Sequence, residues 1–296
     1  MWTGSAPLSD KAGDVMKVSR TAVLGVVLAL LGLLSLFART CTPTEAATLG
    51  VRSSTTARVS AADMPDGPKG HWQLVFHDHF PGTTLDTANW STCYYFGCTN
   101  GGNNELEWYE ASQVRVHDGT VSLTVIPQET NGKQYVSGML SSHGKFSFRY
   151  GYAQIVAKLP VGQGLWSAFW TSPTNGAWPP EIDILENWAQ SHCVSLYVHY
   201  GSADAWDSAN MLVPTASSAF HTYGVDWEPG TIAWYVDGFL VTRLTVSITQ
   251  PEYLIANLAV NGKLPPNSAV RFPQSLVIRS IKVWQHPAQP GGEVTY

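Results

Sequence analysis

One stretch of the sequence decides the fold, and it reads Trp178-Pro179-Pro180-Glu181-Ile182-Asp183-Ile184-Leu185-Glu186-Asn187-Trp188. Acidic residues alternate here with large aliphatic residues, which predicts a β-strand whose positions two apart share a face. Glu181 and Asp183 therefore point the same way, whereas Glu186 would point the opposite way in a regular strand. One extra residue, a β-bulge, brings Glu186 back to the common face, and bulges are frequent beside active sites. The sequence thus predicts a bulged strand with three acids on one face and Ile182 and Ile184 in the core behind them.

Three close carboxylates need a chemical reason, because like charges raise one another's pKa. Cleavage of a glycosidic bond with retention supplies one, since it needs a carboxylate nucleophile and a carboxylic acid roughly 5–5.5 Å apart. Same-face strand neighbours are roughly 6.5–7 Å apart at Cα, so the longer side chains of Glu181 and Glu186 can converge on that distance. The competing interpretation is a solvated acidic strand edge. Such edges favour lysine, however, and do not alternate with isoleucine on a buried face.

The same stretch resembles the bulged active-site strand of glycoside hydrolase family 16, which contains the laminarinase-like endo-β-1,3-glucanases. The resemblance implies that Glu181 is the nucleophile, Glu186 the acid/base and Asp183 an assisting acid between them. It covers roughly residues 71 to 285 and rests on further motifs in the family's order: Gly102-Asn103-Asn104-Glu105-Leu106-Glu107-Trp108-Tyr109, Lys158-Leu159-Pro160, Gly162-Gln163-Gly164-Leu165-Trp166-Ser167-Ala168-Phe169-Trp170, Val198-His199-Tyr200-Gly201, Phe220-His221-Thr222-Tyr223, Trp234-Tyr235-Val236-Asp237-Gly238 and Tyr253-Leu254-Ile255-Ala256-Asn257-Leu258-Ala259-Val260.

Length and segment pattern predict one large all-β domain. The chain has 296 residues, and all-β domains often run to about 200–250 residues undivided. From His71 onward, short β-rich segments alternate with Gly, Pro and Asn turns and no long 3.6-residue period interrupts them, which predicts an antiparallel two-sheet β-sandwich. The resemblance implies a concanavalin A-like jelly roll whose concave sheet forms a substrate cleft. The clearest predicted strands are 72–76, 121–126, 145–150, 153–159, 195–200, 231–236 and 276–283.

Composition argues against nucleic acid as a partner. Charged residues make up only 13% of the chain, about half the usual ~25%. The net charge is −5 and there is no basic tract, so the electrostatic footprint of a nucleic-acid binder is missing. Twelve Trp and twelve Tyr can stack on the apolar faces of sugars or fill a core. We expect a polysaccharide substrate, a β-glucan.

Four tryptophans near the acids are candidate substrate-binding residues. Trp166 and Trp170 share one face of their predicted strand, where they can stack on glucosyl rings or pack in the core. Trp178 and Trp188 bracket the acids and are divided in the same way. An indole beside Glu186 would exclude water and raise the pKa of that carboxyl.

Four polar residues complete the set of substrate-binding candidates. The resemblance places the loop that carries Asn104 and Glu105 at the donor side of the cleft, although an Asn-rich turn capped by its own side chains explains that loop equally well. The resemblance also places His199 near the acid cluster as a hydrogen-bond donor. Asn257 is a further candidate for the cleft.

The first 47 residues predict an export signal or a membrane anchor. An apolar run at 22–38 follows Lys17 and Arg20, but it is short for a span of ~20 residues and long for a signal core of about 7–15. Met16 is an alternative start. Residues 48–70 predict a flexible linker, and residues 71–296 form the predicted catalytic domain. We therefore expect an extracellular or cell-envelope monomer that meets a membrane only through residues 1–47, if these are not cleaved.

Cysteines and metal ligands complete the sequence picture. Cys93 and Cys98 flank a four-residue loop and are expected to close a disulfide in an exported protein, which leaves Cys193 unpaired and buried. No metal-ligand spacing of cysteines is present. Many relatives in that family carry a Glu where this chain has His79, and many carry an Asp that helps to bind a structural calcium where it has Arg279. Because an arginine cannot ligate a cation, we expect neither calcium nor another cofactor.

The sequence predicts a retaining endo-acting β-glucan hydrolase that cleaves β-1,3-glucosidic bonds by double displacement. One alternative keeps this chemistry but acts on mixed-linkage β-1,3-1,4-glucan or a galactan, or transfers glycosyl groups between glycans. Another is a glycan-binding module without activity on the same sandwich, since a fold does not fix a function. The intact acid triplet argues against that module, because binding alone has no use for three crowded carboxylates.

Overall fold

The computed structural model of the chain describes residues 64–187, 192–202 and 205–287. The predicted leader, residues 48–63 of the predicted linker, and Trp188 lie outside these ranges. The strands of the described part are β1 Gln73–Asp78, β2 Glu107–Tyr109, β3 Val114–His117, β4 Thr120–Thr130, β5 Lys133–Ser137, β6 Met139–Ser141, β7 Gly151–Lys158, β8 Leu165–Pro173, β9 Glu181–Asn187, β10 Cys193–Tyr200, β11 Ala205–Leu212, β12 His221–Glu228, β13 Thr231–Val236, β14 Phe239–Leu244, β15 Glu252–Val260 and β16 Gln274–Gln285. Two short 3-10 helices occupy Gly101–Asn103 and Ala111–Gln113.

These strands form two sheets. The larger sheet has ten strands in the order β14-β13-β12-β7-β16-β4-β5-β2, with β1 added beside β16 and β3 beside β4. The smaller sheet has six strands in the order β11-β10-β9-β8-β15-β6. Among the described pairings only β2 and β5 run parallel. The predicted antiparallel two-sheet sandwich is confirmed, and the strand rich in acids, β9, lies near the middle of the smaller sheet.

The main core fills the space between the two sheets. Ile182 and Phe169 from the smaller sheet and Val225 and Ile155 from the larger sheet are completely buried in it. A second apolar cluster lies around the opposite face of β15 and contains Tyr94, Tyr109, Met139, Tyr253 and Ile255. Because both faces of β15 are covered, every residue of that strand is buried. The second cluster thus supports the outer face of the smaller sheet.

One predicted strand is absent. Residues 145–150 contain only an isolated bridge between Phe148 and Glu252, and β7 begins at Gly151. Tyr150 has a φ of 64°, a left-handed conformation that a strand cannot contain. Phe146 and Phe148 pack onto the core from an irregular segment that follows the turn at 143–145.

The last residues of the predicted linker make specific contacts. The Tyr152 hydroxyl donates to the backbone oxygen of Asp66 at 2.6 Å, and the Asp66 N–H donates to Gln154 Oε1 at 3.1 Å. The Tyr235 ring lies so close to Gly67 that an added Cβ would come within 2.5 Å of it. Among the described residues, no helix has the length and apolar character that crossing a membrane requires.

The cysteines confirm one expectation and correct another. The predicted disulfide between Cys93 and Cys98 is present. Cys193 is also disulfide-bonded and only half-buried, so the expectation of an unpaired, buried Cys193 is wrong. Spacing alone pointed to the short loop and carried no information about a bond to a distant cysteine, and the partner of Cys193 lies outside the described residues.

Candidate active site

The strand β9 contains the β-bulge that the sequence predicts. Opposite β8, Phe169 pairs with Leu185 but the next residue, Trp170, pairs with Asp183, so one residue of β9 is extra. Opposite β10, the register shifts at the same place, between Ser195 and Tyr197. Ile184 and Leu185 are both completely buried. The bulge therefore turns two successive aliphatic side chains into the core.

As a result, the three acids share one face of the smaller sheet. Asp183 lies opposite Trp170 and Glu186 lies opposite Ala168, two positions apart on β8 and hence on one face. Glu181 lies opposite His199 on β10. Oxygen atoms of Glu181 and Asp183 and a ring nitrogen of His199 all lie within 4.8 Å of one another. The sheet thus gathers three acids and a histidine on the face away from the core.

Two indole N–H groups hold the outer glutamates. Trp166 Nε1 donates to Glu186 Oε1 at 2.8 Å, and Trp178 Nε1 donates to Glu181 Oε2 at 2.9 Å. Trp178 is also 54% exposed, and its ring centre is 5.5 Å from that of His199. Its indole therefore both fixes a carboxylate and offers surface to the solvent side of the site.

The acids differ in their affinity for protons. Burial raises the pKa of Asp183 well above its usual range, and the neighbouring charges of Glu181 and Glu186 raise it further. Burial raises the pKa of Glu186 to about 7, although the hydrogen bond from Trp166 opposes this shift. Asp183 therefore holds a proton more readily than an exposed aspartate, and near pH 7 Glu186 exists in both its protonated and its charged form. His199 Nε2 lies 3.9 Å from Asp183 Oδ2, close to the acids as expected.

Trp170 and Asn257 form a hydrogen-bonded floor beside the acids. Trp170 Nε1 donates to Asn257 Oδ1 at 2.8 Å, and Asn257 Nδ2 donates to the Tyr109 hydroxyl at 2.9 Å. Asn257 is only 3% exposed, whereas Trp170 and Trp166 are half-buried. The two tryptophans thus keep part of their surface exposed. The buried Asn257 fixes the Trp170 ring by accepting its N–H.

The predicted donor-side loop divides into an exposed and a buried part. Asn104 is exposed with a left-handed φ of 59° and ends the 3-10 helix, while Asn100 caps its start. Glu105 is 3% exposed and accepts from the Tyr109 hydroxyl at 3.4 Å. Glu107 is completely buried and accepts from the Val260 N–H at 2.7 Å. Burial raises the pKa of both glutamates.

Two further residues matter to the site and were not found from the sequence. Trp234, on β13 of the larger sheet, donates its indole N–H across the core to the backbone oxygen of Asp183 at 2.9 Å. Glu252, at the start of β15, is completely buried with Thr171 as its hydrogen-bond partner. Burial raises its pKa to about 8. The sequence predicted only a hairpin around Trp234, because a partner on the other sheet leaves no local signal.

Arg279, at the position of the family's calcium-binding Asp, does not fit a cation, and the carboxylate of Asp78, next to His79, already has partners. Asp78 already accepts from the Phe80 N–H at 2.7 Å and from Trp90 Nε1 at 2.8 Å. The Arg279 guanidinium lies 3.9 Å from the centre of the Phe220 ring, so a positive charge occupies the position of the expected acid. The grouping of Glu181, Asp183 and His199 offers three ligand-type atoms, but these belong to the acid cluster described above.

Fold and site together define a β-sandwich whose sheet presents a carboxylate cluster in an aromatic setting. The family model for glycosyl hydrolases family 16 matches residues 102–263, and the chain belongs to that family. The chain is 36% identical over 237 residues to the endo-1,3-1,4-beta-glycanase EglC of Rhizobium meliloti, covering 71% of this chain and 51% of that protein. It is 32% identical over 249 residues to a beta-glucanase of Rhodothermus marinus, covering 73% and 86%.

Solved structures agree with the jelly-roll expectation. The catalytic domain of an endo-1,3-beta-glucanase (laminarinase) from Thermotoga petrophila superposes with a TM-score of 0.68 at 28% identity, covering 73% of this chain and 99% of that one. The resemblance to the laminarinase-like branch of the family is therefore confirmed. This chain spans about half the length of the Rhizobium relative.

Proposed function

We propose that the chain is a retaining endo-acting β-glucan hydrolase that cleaves β-1,3-glucosidic bonds. The observation that carries the proposal is the bulge in β9, which places Glu181, Asp183 and Glu186 on one face. Retention needs two carboxyl groups that approach the same bond. A regular strand would have buried Glu186 in the core instead.

Each acid has a role that follows from its surroundings. Glu181 attacks the anomeric carbon as a carboxylate, and Glu186 protonates the departing oxygen, for which its raised pKa suits it at neutral pH. Glu186 then takes a proton from water, which attacks the anomeric carbon, breaks its bond to Glu181 and frees the sugar. Asp183 is the assisting acid: its raised pKa favours the neutral form, which limits the negative charge between the two glutamates.

The substrate-binding roles follow from the open surfaces around the acids. Trp166, Trp170 and Trp178 supply aromatic faces for glucosyl rings, and their indole N–H groups are already used by Glu186, Asn257 and Glu181. His199 and Asn104 supply polar contacts for sugar hydroxyls. Asn257 and Glu105 are nearly buried, so they act mainly by holding the floor on which the sugar lies. The mechanism uses carboxyl groups alone and requires no cofactor.

A second candidate is the same reaction on mixed-linkage β-1,3-1,4-glucan. It is favoured by the 36% identity to a protein named as an endo-1,3-1,4-beta-glycanase. Reducing-end release from laminarin, mixed-linkage glucan and a galactan separates the candidates. Fastest release from laminarin supports the first proposal, and fastest release from the mixed-linkage polymer replaces it with the second.

The roles of the two glutamates are tested by amide substitution. Glu181→Gln and Glu186→Gln should each lower kcat on laminarin by roughly 10³-fold or more, because each removes a group that the transition state requires. Glu129→Gln, at an exposed position of β4, is the matched control and should keep full activity. Near-normal activity of either site variant with unchanged thermal unfolding would refute the assignment.

We also propose that the protein is exported and acts outside the cell or in its envelope, as a monomer. The disulfide between Cys93 and Cys98 supports export, because such bonds persist in oxidising compartments. The apolar run at 22–38 supplies the signal or anchor. Fractionation of cells into medium, membrane and cytosol tests this proposal, and activity confined to the cytosol would reject it.

A further inference from the structure

The loop between Cys93 and Cys98 presents two aromatic side chains to solvent. Tyr95 is 53% exposed and Phe96 is 57% exposed, whereas the preceding residue, Tyr94, is buried. The loop is closed by the disulfide and by a hydrogen bond from the Gly97 N–H to the Tyr94 oxygen. A closed ring of this size has few conformations to lose when a ligand binds. Binding a ligand to the two exposed rings therefore costs little conformational entropy of the loop.

This loop continues the line of the proposed cleft. From β9 the smaller sheet passes through β8 and β15 to β6, and Ser91, just before the loop, bridges to Ser141 of β6. The Tyr94 ring lies 6.2 Å from that of Trp170, and Trp170 lies opposite Asp183. A polymer that crosses the strands from the acids over Trp170 reaches the loop next.

Each exposed ring packs against a neighbouring ring, and the two exposed rings meet edge to face, with centres 5.1 Å apart and planes 86° apart. Phe96 stacks on Tyr94 with ring centres 4.9 Å apart and planes 5° apart. Tyr95 stacks on His143 at 4.4 Å, and an added Cβ at Gly176 would lie 2.7 Å from the Tyr95 hydroxyl oxygen. More than half of the surface of each of these two residues remains exposed, and apolar surface in water is costly unless a ligand covers it.

We propose that Tyr95 and Phe96 form a distal sugar-binding platform on which glucosyl units of a β-glucan chain stack after passing Trp170. This inference rests on the proposed function, because it extends the same cleft. A pyranose ring has an apolar face made of C–H groups and a rim of hydroxyls. Its apolar face covers an aromatic ring while its hydroxyls stay in water. Because the two rings are nearly perpendicular, one flat sugar ring cannot cover both, whereas successive units of a glucan chain can.

The test measures binding without turnover, in the full chain carrying Glu181→Gln. Affinity for a β-1,3-glucan hexasaccharide and for the disaccharide is measured by calorimetry before and after adding Tyr95→Ala and Phe96→Ala. Loss of the platform should weaken hexasaccharide binding roughly three- to tenfold, on the scale of one or two aromatic stacking contacts. Binding of the disaccharide, which occupies only positions near the acids, should stay unchanged.

Phe239→Ala supplies the matched control, since Phe239 is also 57% exposed but lies on β14 of the larger sheet. It should change neither affinity. The proposal is overturned if the platform variants bind the hexasaccharide as tightly as Phe239→Ala does, or if they weaken both ligands equally. It is also overturned if they change only the sedimentation of the protein, which would make the rings a contact between copies.

Failure of the proposed function has a different signature. In that case the unsubstituted chain releases no reducing ends from any β-glucan, whatever the platform variants do. An active chain whose platform variants bind normally would leave the hydrolase proposal intact and remove the platform.

Discussion

A single indole N–H tunes the proposed acid/base. Trp166 donates to Glu186 Oε1 at 2.8 Å, and this bond favours the charged carboxylate, while burial raises the pKa to about 7. Glu186 must be protonated to act as the acid in the first step. We therefore expect kcat/KM to fall as the pH rises through about 7.

In Trp166→Phe, the fall of kcat/KM on the alkaline side, called the alkaline limb of the pH profile, should move to higher pH. The substitution removes the donor that stabilises the charged form of Glu186. The pKa of Glu186 therefore rises, and its protonated form remains populated at higher pH. Trp170→Phe is the control, because its indole N–H serves Asn257 instead. It should alter KM but leave the limb in place. A limb that is identical in Trp166→Phe and the original chain would contradict the role of this hydrogen bond.

Individual residues could be predicted from the sequence only in part. The residue types and spacing of Glu181, Asp183 and Glu186 pointed to the acid cluster. The indole hydrogen bonds of Trp166 and Trp178 could not be predicted, because their partners depend on the strand register and on a loop conformation. Glu252 stands on a strand that reads as apolar, and its burial follows only from the covering of both faces of β15.

The bulged strand β9 is anchored from the opposite sheet. The bulge interrupts the ladders on both sides of β9, and Trp234 Nε1 donates across the core to the backbone oxygen of Asp183. A buried carbonyl without a partner costs about 1–3 kcal/mol. The hydrogen bond therefore stabilises the segment that turns Glu186 to the same face as Glu181.

Trp234→Phe should lower stability by about 1–3 kcal/mol and also lower kcat, because the freed bulge holds the two glutamates less firmly. The matched control is Trp227→Phe, which removes an equally buried indole N–H from the Ile248 oxygen at 3.2 Å. That control should lose similar stability and keep kcat. Denaturant unfolding and initial rates below the unfolding transition give both quantities. Equal kcat losses in the two variants would show that Trp234 has only a general structural role.

Elements followed from the sequence where the pattern was local. The alternation in β9 predicted the strand, and the odd spacing of Glu186 predicted the bulge. The prediction of a strand at 145–150 was wrong, because aromatic residues alternate in the same way in a strand and in an irregular segment that packs them on a core. The left-handed backbone at Tyr150 ends the extended segment. The sequence does not indicate this, because tyrosine has no preference for a positive φ.

Across the whole molecule, buried acids make stability depend on pH. Burial raises the pKa of Glu105, Glu107, Asp183 and Glu252. The folded state therefore holds protons that the unfolded state releases near its ordinary pKa of 4.5 for Glu. The contribution of Glu252 to stability is therefore fully present below about pH 4.5 and is lost as the pH rises towards about 8.

Glu252→Gln should weaken this dependence, because its neutral side chain has no proton to lose. The difference in Tm between pH 5 and pH 8.5 should shrink in the variant relative to the original chain. Glu129→Gln, at an exposed position, should leave the difference unchanged. An identical difference in all three proteins would mean that Glu252 ionises in the folded state at its ordinary pKa.

The sandwich itself was predictable because short alternating segments with turn residues permit few other folds. Its strand order was not, since neighbours such as β7 and β16 are far apart in sequence. The disulfide bond of Cys193 was missed for the same reason. Long-range pairings are set by the packing of the whole domain, to which a local pattern contributes little.

The central claim is that the bulge in β9 makes Glu181 the nucleophile opposite Glu186. It is tested most directly by trapping the glycosyl-enzyme with a 2-deoxy-2-fluoro β-glucosyl oligosaccharide and mapping the label by mass spectrometry after digestion. The account predicts a stable adduct of one glycosyl chain on the Glu181 carboxylate. A label on Glu186 or Asp183, or turnover with inversion and no adduct, would contradict it.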